Sequence, residues 1–435
     1  MRYEYKVVEL FSGIGSQAKA LQNIGMKINV VGTCEWDVHA LVAYDAIHNS
    51  TEFISEIQHM SKQELLNKLK KYTLSTDGKN ELKFETLRNY STEALQRIYQ
   101  AIVRSNNFVD IKELTGKEMP SEVDILTYSF PCQDLSNVGA FHGYNLGIDK
   151  NSNSRSSLLW QVGRILREMK ENNRRLPRYL VMENVPTLLA KRHRNNFQLW
   201  IDELRELGYQ SWYFQLNAHD FGLPQNRPRL LMVSVKVSTD RKKIKLANDF
   251  FKLKTEDMIR LDYEKSSYYR KIRLDELLCR DYSIDYYRCE AEECCPNDTP
   301  SRRKIWEENP QLVLEDDSIN PNIEMIHTIT TKQDRNPNSG NLYFKSNQKG
   351  KGKFRYLTPR ECFLFMGFTE EDYDNVMRNN PKIIGGTQLM TRDKVIRMAG
   401  NSIPVKLLEG IFLQIKSLDK IMIENGCSFK RHQKP

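Results

Sequence analysis

The chain lacks any long hydrophobic run. None of its 435 residues falls in a stretch approaching the roughly 18 consecutive apolar residues that a membrane helix needs. Residues Met1 to Leu10 alternate charged side chains with Val and Leu, so they lack the apolar core of a secretory signal. There is no internal repeat and no long low-complexity tract. These absences favour a folded cytoplasmic protein.

The chain also lacks a disulfide framework and a zinc-binding pattern. Its eight cysteines are scattered over a long sequence, unlike those of a small secreted domain, so we expect reduced thiols. Four of them lie close together but do not form the paired Cys-x2-4-Cys spacing of a zinc site. We therefore predict no metal from these four residues, Cys279, Cys289, Cys294 and Cys295.

Acidic residues are fewer than basic ones. Lys and Arg number 65 against 56 Asp and Glu, which gives a formal charge of +9. This excess suits a polyanionic partner without demanding one, because many basic proteins never bind nucleic acid.

The pattern of apolar residues predicts an α/β fold with more than one folding unit. Over residues 1–235, short apolar runs alternate with helical patterns, which is typical of a parallel sheet covered on both faces. A polar, mostly helical insertion spans about 50–105. Residues 236–395 lack this alternation and are predicted to form a smaller domain, and 396–435 to return to the first. The predicted strands are Lys6–Leu10, Ile28–Cys34, Val123–Ser129, Tyr179–Met182, Trp212–Leu216 and Leu230–Val235.

A glycine-rich turn follows the first predicted strand and opens a helix. Glycines there allow a ligand to approach the backbone at a helix N-terminus. Glu35, at the end of the second strand, can accept hydrogen bonds from ribose hydroxyls, and Trp36 can stack on adenine. The pattern indicates an adenosine cofactor but fits a nicotinamide dehydrogenase equally well. The turn comprises Phe11, Ser12, Gly13, Ile14 and Gly15.

Three reactive or charged clusters lie at the ends of other predicted strands. Cys132 follows Pro131 at one strand end, and Glu183 ends the next. Arg227 and Arg229 immediately precede a further strand. A lone cysteine is more often a small buried apolar residue than a nucleophile. Here, however, a thiol, a carboxylate and two guanidinium groups are predicted to meet in one crevice beyond the sheet.

In this arrangement the chain resembles the cytosine-C5 DNA methyltransferase family, over most of its length apart from the insertion and the variable small domain. Individually several of the motifs are weak, but together they follow the family's order at compatible spacings. They are Phe11-x-Gly13-x-Gly15, Glu35-Trp36, Asp110-Ile111, Pro131-Cys132-Gln133, Arg155 with Leu158, Glu183-Asn184-Val185, Gln225-x-Arg227-x-Arg229, Arg355-x-Leu357-Thr358-x-x-Glu361 and Gly400-Asn401-Ser402-Ile403-Pro404.

The resemblance implies a Rossmann-like, S-adenosyl-L-methionine-dependent methyltransferase domain with a smaller DNA-recognition domain. It implies that Cys132 attacks carbon 6 of cytosine, that Glu183 holds a proton at ring N3, that Arg229 stabilises O2 and that Arg227 supports the pocket. The implied cofactor residues are Phe11, Ser12, Gly13, Ile14, Gly15, Glu35, Trp36, Asp110, Ile111, Pro131, Leu158, Asn401 and Ser402.

The family's target atom is inaccessible inside a duplex, so the base must leave the stack. Gln133 and Ser136 are predicted to touch the flipped base or the space it vacates. The resemblance also implies double-stranded DNA as substrate, a partner restriction endonuclease, and a monomeric protein of the bacterial cytoplasm and nucleoid. Basic stretches at 241–245, 268–273 and 345–355 suit phosphate contacts.

Two further readings of the same residues stay open. The same chemistry could act on tRNA, although the long basic small domain disfavours it. A catalytically inactive DNA-binding relative is also conceivable, but the intact Cys132, Glu183 and Arg229 give it no support.

Overall fold

A computed structural model describes residues 4–132, 135, 147–149, 155–333 and 339–427. Strands in these ranges form a six-stranded sheet with the order β2-β1-β3-β4-β7-β5, a three-stranded sheet and a two-stranded one. The strands are β1 (Tyr5–Leu10), β2 (Ile28–Cys34), β3 (Ile125–Tyr128), β4 (Tyr179–Asn184), β5 (Tyr209–Asn217), β6 (Gln225–Asn226), β7 (Pro228–Lys236), β8 (Gln311–Val313), β9 (Ile326–His327), β10 (Asn341–Tyr343) and β11 (Phe354–Arg355).

All six predicted strands are present within a few residues, and the α/β class is confirmed. The expectation of a parallel sheet is wrong for β7, which runs antiparallel to both β4 and β5. A short connection causes this reversal, because β7 follows β5 with too few residues between them for a parallel crossover. The reversal places Arg229, near the start of β7, at the same edge as Glu183 near the end of β4.

The large sheet is buried on both faces, as its apolar strands require. Successive side chains point to opposite sides, so Val7 and Val181 join one core while Val8 and Met182 join the other. The helices that cover the sheet and its extensions are α1 (Ser16–Asn23), α2 (Val38–His48), α3 (Ser55–Gln58), α4 (Lys62–Leu69), α5 (Phe84–Arg88), α6 (Thr92–Arg104), α7 (Leu159–Glu171), α8 (Lys191–Glu206), α9 (Arg241–Lys252), α10 (Glu256–Glu264), α11 (Asp285–Glu293), α12 (Pro300–Glu308), α13 (Pro359–Phe365), α14 (Glu370–Arg378), α15 (Arg392–Asn401) and α16 (Val405–Glu424).

The C-terminal helix α16 is fixed to the sheet by a buried polar cluster as well as by apolar packing. Asp419 accepts hydrogen bonds of 2.8 Å from the hydroxyls of both Tyr5 and Tyr179, and it also binds the guanidinium of Arg178. Buried carboxylates need such partners, because an unpaired one would be costly to remove from water. The cluster closes the edge of the sheet at which the parallel strands begin.

The helices that follow residue 236 pack against the first domain. Phe251 of α9 and Ile259 of α10 belong to the same apolar core as Leu408 of α16. Smaller clusters occur further along, for example Trp306 with Phe354. The division of the chain at 236 and 396 stays a prediction, and the contacts of α9 and α10 favour a later first boundary.

No helix in the described ranges is long and apolar enough to cross a membrane.

Candidate active site

The carboxyl ends of β1 to β4 open into one crevice of about 660 Å³. It lies where the chain order of the strands reverses around β1, the usual ligand position in open α/β sheets. Of the predicted site residues that the structure describes, Gly15 alone is not at its surface. Those that line the crevice are Phe11, Ser12, Gly13, Ile14, Glu35, Trp36, Asp110, Ile111, Pro131, Cys132, Leu158, Glu183, Arg227, Arg229, Asn401 and Ser402.

At one end of the crevice the backbone of the glycine turn adopts a left-handed path. Phe11, Gly13 and Gly15 have φ values of 57°, 53° and 81°. A side chain at Gly15 is disfavoured for two reasons. The φ of 81° lies in the left-handed region, and a Cβ would lie 2.1 Å from the Nε2 atom of His48. Gly15 therefore shapes the turn from behind, although it does not face the crevice.

A buried network supports this turn from beneath. Glu9 accepts hydrogen bonds from the backbone N–H of Ala18, at 3.0 Å, and from the hydroxyl of Tyr44. The ring of Tyr44 contacts that of His48, whose Nε2 lies 3.0 Å from the carbonyl oxygen of Ile14. Burial raises the pKa of Glu9 to about 7, and burial lowers the pKa of His48 to about 4.

Glu35 joins the turn to the end of β2. Its Oε2 accepts a hydrogen bond of 3.1 Å from the backbone N–H of Gly13, and its Oε1 accepts bonds of 2.9 and 2.8 Å from those of Trp36 and Asp37. Burial and the neighbouring charge of Asp37 raise the pKa of Glu35 to about 7, against the opposing effect of these amides. Oε2 accepts one of these three bonds and so retains lone-pair capacity for a ligand hydroxyl.

Two other segments complete this end. Asp110 accepts a 2.9 Å bond from the N–H of Lys112, which closes a turn beside Ile111. The C-terminal segment meets the glycine turn directly, since the N–H of Ile403 donates to the Oγ of Ser16 at 3.3 Å.

At the other end, Cys132 lies just beyond β3 and is partly exposed. Its neighbours hold the backbone around it. The side chain of Asn184 donates to the carbonyl of Phe130 at 3.0 Å, and the hydroxyl of Ser156 donates to the carbonyl of Pro131 at 2.6 Å. These bonds fix the thiol-bearing segment to β4 and to the residues before α7.

Glu183 lies between a hydroxyl and a guanidinium. Its Oε2 accepts a hydrogen bond from Ser129, and its Oε1 lies 2.9 Å from the Nε of Arg229. The side chains of Arg229 and Glu183 are 12% and 9% exposed, so the ion pair is largely removed from solvent while still bordering the crevice. Such a pair is oriented by hydrogen bonds and not by charge alone.

Arg227 has different contacts from Arg229. It is fully buried, and its guanidinium donates to the carbonyl oxygens of Ile329, Gly400 and Ser402 at 2.7, 2.7 and 2.8 Å. It therefore links the residue between β6 and β7 to the segment after β9 and to the end of α15. Burial lowers the pKa of Arg227 well below its ordinary value.

Burial raises the pKa of the Cys132 thiol above its ordinary value, and the charge of Glu183 adds to this effect. Arg229 and Arg227 oppose it but do not overcome it. The two guanidinium groups thus lower the pKa of the thiol, but its net pKa is still raised. The physical reason is that withdrawal of the thiolate from water outweighs the attraction of the two cations.

Comparison with known proteins decides the family. The family model for C-5 cytosine-specific DNA methylases matches residues 80–417. This chain belongs to that family. It is accordingly an enzyme, a DNA (cytosine-5-)-methyltransferase, and the resemblance inferred from its motifs is confirmed.

Two relatives match this methylase over nearly its whole length. The orphan methyltransferase M.SssI of Spiroplasma monobiae is 30% identical over 414 residues, covering 94% of this chain and 97% of the relative. The type II methyltransferase M2.ScrFI of Lactococcus lactis subsp. cremoris is 30% identical over 412 residues, covering 94% and 98%. Among solved structures, the Dnmt2 methyltransferase of S. pombe superposes with a TM-score of 0.56 at 17% identity, covering 95% and 99%, a likeness of fold alone.

The predicted DNA contacts of the methylase fall in several parts of the chain. Gln133 and Ser136 lie outside the described residues. The basic stretch at 241–245 begins α9 beyond the end of β7, at the edge where the parallel strands start. That edge is opposite the crevice, so this stretch does not lie beside Cys132, and phosphate contacts there stay a prediction. In the other two stretches Arg270, Arg273 and Lys353 pair with carboxylates.

Sequence reasoning missed several residues that surround the methylase site. Ser129 and Ser16 adjoin the motifs and could have been found by extending them. The network of Glu9, Tyr44 and His48 gave no signal, since buried polar residues on separate elements have no characteristic spacing. Within the described residues, no group of three or more His, Cys, Asp and Glu side chains is placed to hold a metal ion.

Proposed function

We propose that this methylase transfers a methyl group from S-adenosyl-L-methionine to carbon 5 of cytosine within a specific double-stranded DNA sequence, through a covalent bond between the Cys132 sulfur and carbon 6 of a flipped-out base. The supporting observation is the Ser129–Glu183–Arg229 arrangement beside Cys132, in the same crevice as the glycine turn. Charged groups that could contact a pyrimidine thus lie at one end of the crevice. A glycine turn of the kind that binds an adenosine cofactor lies at the other end.

The residues of the glycine turn fit an adenosyl cofactor. A Cβ added at Gly13 would meet nothing within 4 Å, so the backbone there faces open space. Glu35 and Trp36 offer a hydroxyl acceptor and an aromatic face beside it. We assign the cofactor to the residues predicted for it, with Gly15 acting through the shape of the turn. When bound, S-adenosyl-L-methionine supplies an electrophilic methyl group.

Carbon 5 of cytosine is a poor nucleophile inside an aromatic ring. In the proposed reaction the thiolate of Cys132 forms a bond to carbon 6, and the ring electrons move towards N3 and O2. Glu183 holds a proton against N3, and Ser129 and Arg229 keep that carboxyl group in place. Carbon 5 becomes enamine-like and would take the methyl group while the bond from that group to the sulfonium sulfur breaks, which would leave S-adenosyl-L-homocysteine. Loss of the carbon 5 proton to a water molecule then allows the bond between carbon 6 and the Cys132 sulfur to break and restores the thiolate.

Arg229 has two tasks in this proposal. It orients Glu183, and its charge favours both the thiolate and the negative charge that develops at O2. Arg227 is a positioning residue, because its guanidinium is already bonded to three carbonyl groups.

DNA contacts are expected at the start of α8. Lys191, Arg192 and Arg194 are exposed in its first turn, which contains no acid, and they follow soon after Glu183 in the chain. Positive side chains at a helix N-terminus oppose the helix dipole, and a phosphate group relieves that repulsion.

The proposal also covers the cellular context. We propose a monomeric enzyme of the bacterial cytoplasm and nucleoid that acts with a partner restriction endonuclease. Of the two relatives, one is named a type II methyltransferase and the other an orphan methyltransferase.

The deciding experiment supplies methyl-labelled S-adenosyl-L-methionine with duplex DNA of mixed sequence, with tRNA, or with neither. We expect label in DNA alone, recovered as 5-methylcytosine after digestion. Label in tRNA alone would contradict the proposed substrate. Calorimetric binding of NAD without binding of S-adenosyl-L-methionine would favour a dehydrogenase. Bisulfite sequencing of DNA from cells that express the chain would identify the methylated sequence.

The DNA-binding surface has its own test. Replacing Lys191, Arg192 and Arg194 together by Ala should weaken duplex binding by about tenfold or more at low salt and flatten the dependence of log Kd on log salt concentration, because phosphate contacts release counterions. A matched triple variant at the opposite edge, Arg241, Lys242 and Lys245 to Ala, should change neither quantity. Equal effects of the two triple variants would show that only net charge matters.

A further inference from the structure

The helical insertion at about 50–105, which carries none of the family motifs, contributes one wall of the cofactor end of the crevice. Its α4–α5 connection contains Ser75 to Asn80, a segment named here the crevice loop. Asp77, Gly78 and Lys79 of this loop line the crevice together with Trp36. An insertion that only extended the core would not reach the site.

The crevice loop is bonded to the backbone on both sides of Asp37. The N–H of Ser75 donates to the carbonyl of Trp36 at 2.8 Å, and the N–H of Val38 donates to the carbonyl of Ser75 at 2.9 Å. These two bonds form a short parallel bridge. Backbone hydrogen bonds from the loop therefore hold Trp36, the residue assigned to the adenine contact. They bind it through its carbonyl group, on the side away from Glu35 in the chain.

The loop is also fixed internally. The hydroxyl of Ser75 accepts a bond of 3.0 Å from the N–H of Gly78 and donates to the carbonyl of Asn80 at 2.7 Å. The Oδ1 of Asp77 accepts bonds of 2.7 and 2.8 Å from the N–H groups of Lys79 and Asn80. Burial alone would raise the pKa of Asp77, but these amides lower it well below its ordinary range. A turn with so many internal bonds presents a preformed surface to a ligand.

Arg397 joins the loop to the C-terminal segment. Its Nη2 donates to the Oδ2 of Asp37 at 2.5 Å and to the carbonyl of Thr76 at 2.9 Å. The other oxygen of Asp37 lies 2.6 Å from the Nδ1 of His39. The ion pair is well shielded, with side chains 18% and 14% exposed. Helix α15 carries both Arg397 and Asn401, so the same helix braces the loop and lines the crevice.

We propose that Arg397 and the crevice loop are positioning elements for S-adenosyl-L-methionine, which set the width of the crevice beside Trp36 without taking part in the chemistry at the base. Three segments that are distant in sequence, around residues 37, 76 and 397, meet through one guanidinium group. Its loss removes the ion pair between Asp37 and α15 and leaves the loop attached to that helix through the 2.9 Å bond from the Nζ of Lys394 to the carbonyl of Thr76. This inference rests on the proposed function, because it assigns the cofactor to this end of the crevice.

The test separates cofactor binding from turnover. Arg397→Met should raise both the calorimetric Kd and the KM for S-adenosyl-L-methionine by about tenfold, the size expected for losing a shielded, charge-assisted hydrogen bond. The value of kcat at saturating cofactor and the Kd for duplex DNA should stay within about twofold, since Cys132 and Glu183 are held by other bonds. Arg397→Lys should recover part of the affinity, because an ammonium group can still reach one acceptor.

Two control pairs sharpen the result. Arg392 lies on the same helix as Arg397, and its guanidinium pairs with Asp393 outside the crevice. Arg392→Met should therefore leave the KM for S-adenosyl-L-methionine unchanged. Asp77→Ala breaks the internal bonds of the loop and should raise the KM as Arg397→Met does, whereas Asp77→Asn keeps an acceptor at Oδ1 and should not. If Arg397→Met fails to fold, the Asp77 pair carries the test.

Wild-type KM values in both Arg397→Met and Asp77→Ala would overturn the inference while leaving the proposed function intact. Parallel losses of kcat, DNA affinity and thermal stability would also overturn it, because they would indicate a general structural role. A wild-type protein that binds no S-adenosyl-L-methionine and transfers no methyl group would overturn the proposed function and this inference together.

Discussion

The two ends of the crevice are built by different means. At the cofactor end the backbone sets the shape of the turn, through left-handed residues and through amides that converge on Glu35. At the base end it is made of side chains, with Glu183 oriented by Ser129 and Arg229. A substitution at the base end should therefore remove chemistry and spare the fold, whereas one in the glycine turn should disturb both the fold and cofactor binding.

The sharpest way to expose this difference is Cys132→Ser. Turnover should fall by about 10⁴-fold or more, as in other enzymes that lose a covalent nucleophile. The Kd for S-adenosyl-L-methionine and the melting temperature should change little, because Cys132 lies at the base end. Methyl-transfer assays, calorimetry and thermal unfolding measure the three quantities. Equal losses of activity and cofactor binding would contradict the separation of the two ends.

Arg229→Met should come next in size. It removes the charge that orients Glu183 and opposes the raised pKa of Cys132, so kcat should fall by about 10²- to 10³-fold, as for the loss of one preorganised donor. Removing a cation disfavours the thiolate, so the pH dependence of Cys132 alkylation should shift to higher pH. Mass spectrometry of the alkylated peptides measures this shift, with the exposed Cys289 as reference for the reagent. An unshifted profile would show that the charge of Arg229 does not affect the ionisation of the Cys132 thiol.

Gly15→Ala tests the backbone-built end. A Cβ there would lie 2.1 Å from His48 at a φ of +81°, so the turn must shift. We expect a stability loss of about 1–3 kcal/mol and a cofactor Kd raised about tenfold, while Cys132 remains alkylatable. Gly385→Ala is the matched control, since its φ is +59° but nothing lies within 4 Å. A cofactor effect as large for Gly385→Ala would refute the role assigned to the turn.

The smallest expected effect is the pH dependence of cofactor binding. The pKa of Glu35 is raised to about 7, so its carboxylate is lost as the pH falls through that value. An ionised carboxylate accepts hydroxyl hydrogen bonds more strongly, so affinity for S-adenosyl-L-methionine should fall by up to about tenfold between pH 8 and pH 6. Calorimetry at several pH values measures the trend, and Glu35→Gln should flatten it. A pH-independent wild-type affinity would exclude Glu35 as the titrating acceptor.

Much of the site could be predicted from the sequence because its signals are local. The turn from Phe11 to Gly15, the strand that ends in Glu183 and the strand that precedes Cys132 each combine an apolar run with unusual residues at its end. Strand ends of one sheet meet in space, so motifs at those ends predict a common crevice before any contact is known. The remaining chemistry came from the resemblance to the family, which the comparisons confirm.

The sequence by itself determined which residues gather at the carboxyl edge of the sheet, because periodicity and strand-end motifs depend on neighbours along the chain. Only the tertiary structure decided what each group does there. It reversed β7 so that Arg229 meets Glu183, and it bonded the guanidinium of Arg227 to three carbonyl groups. It also raised the pKa of Cys132 and brought the crevice loop beside Trp36. Burial and long-range contacts set these outcomes, and neither can be read from residue spacing.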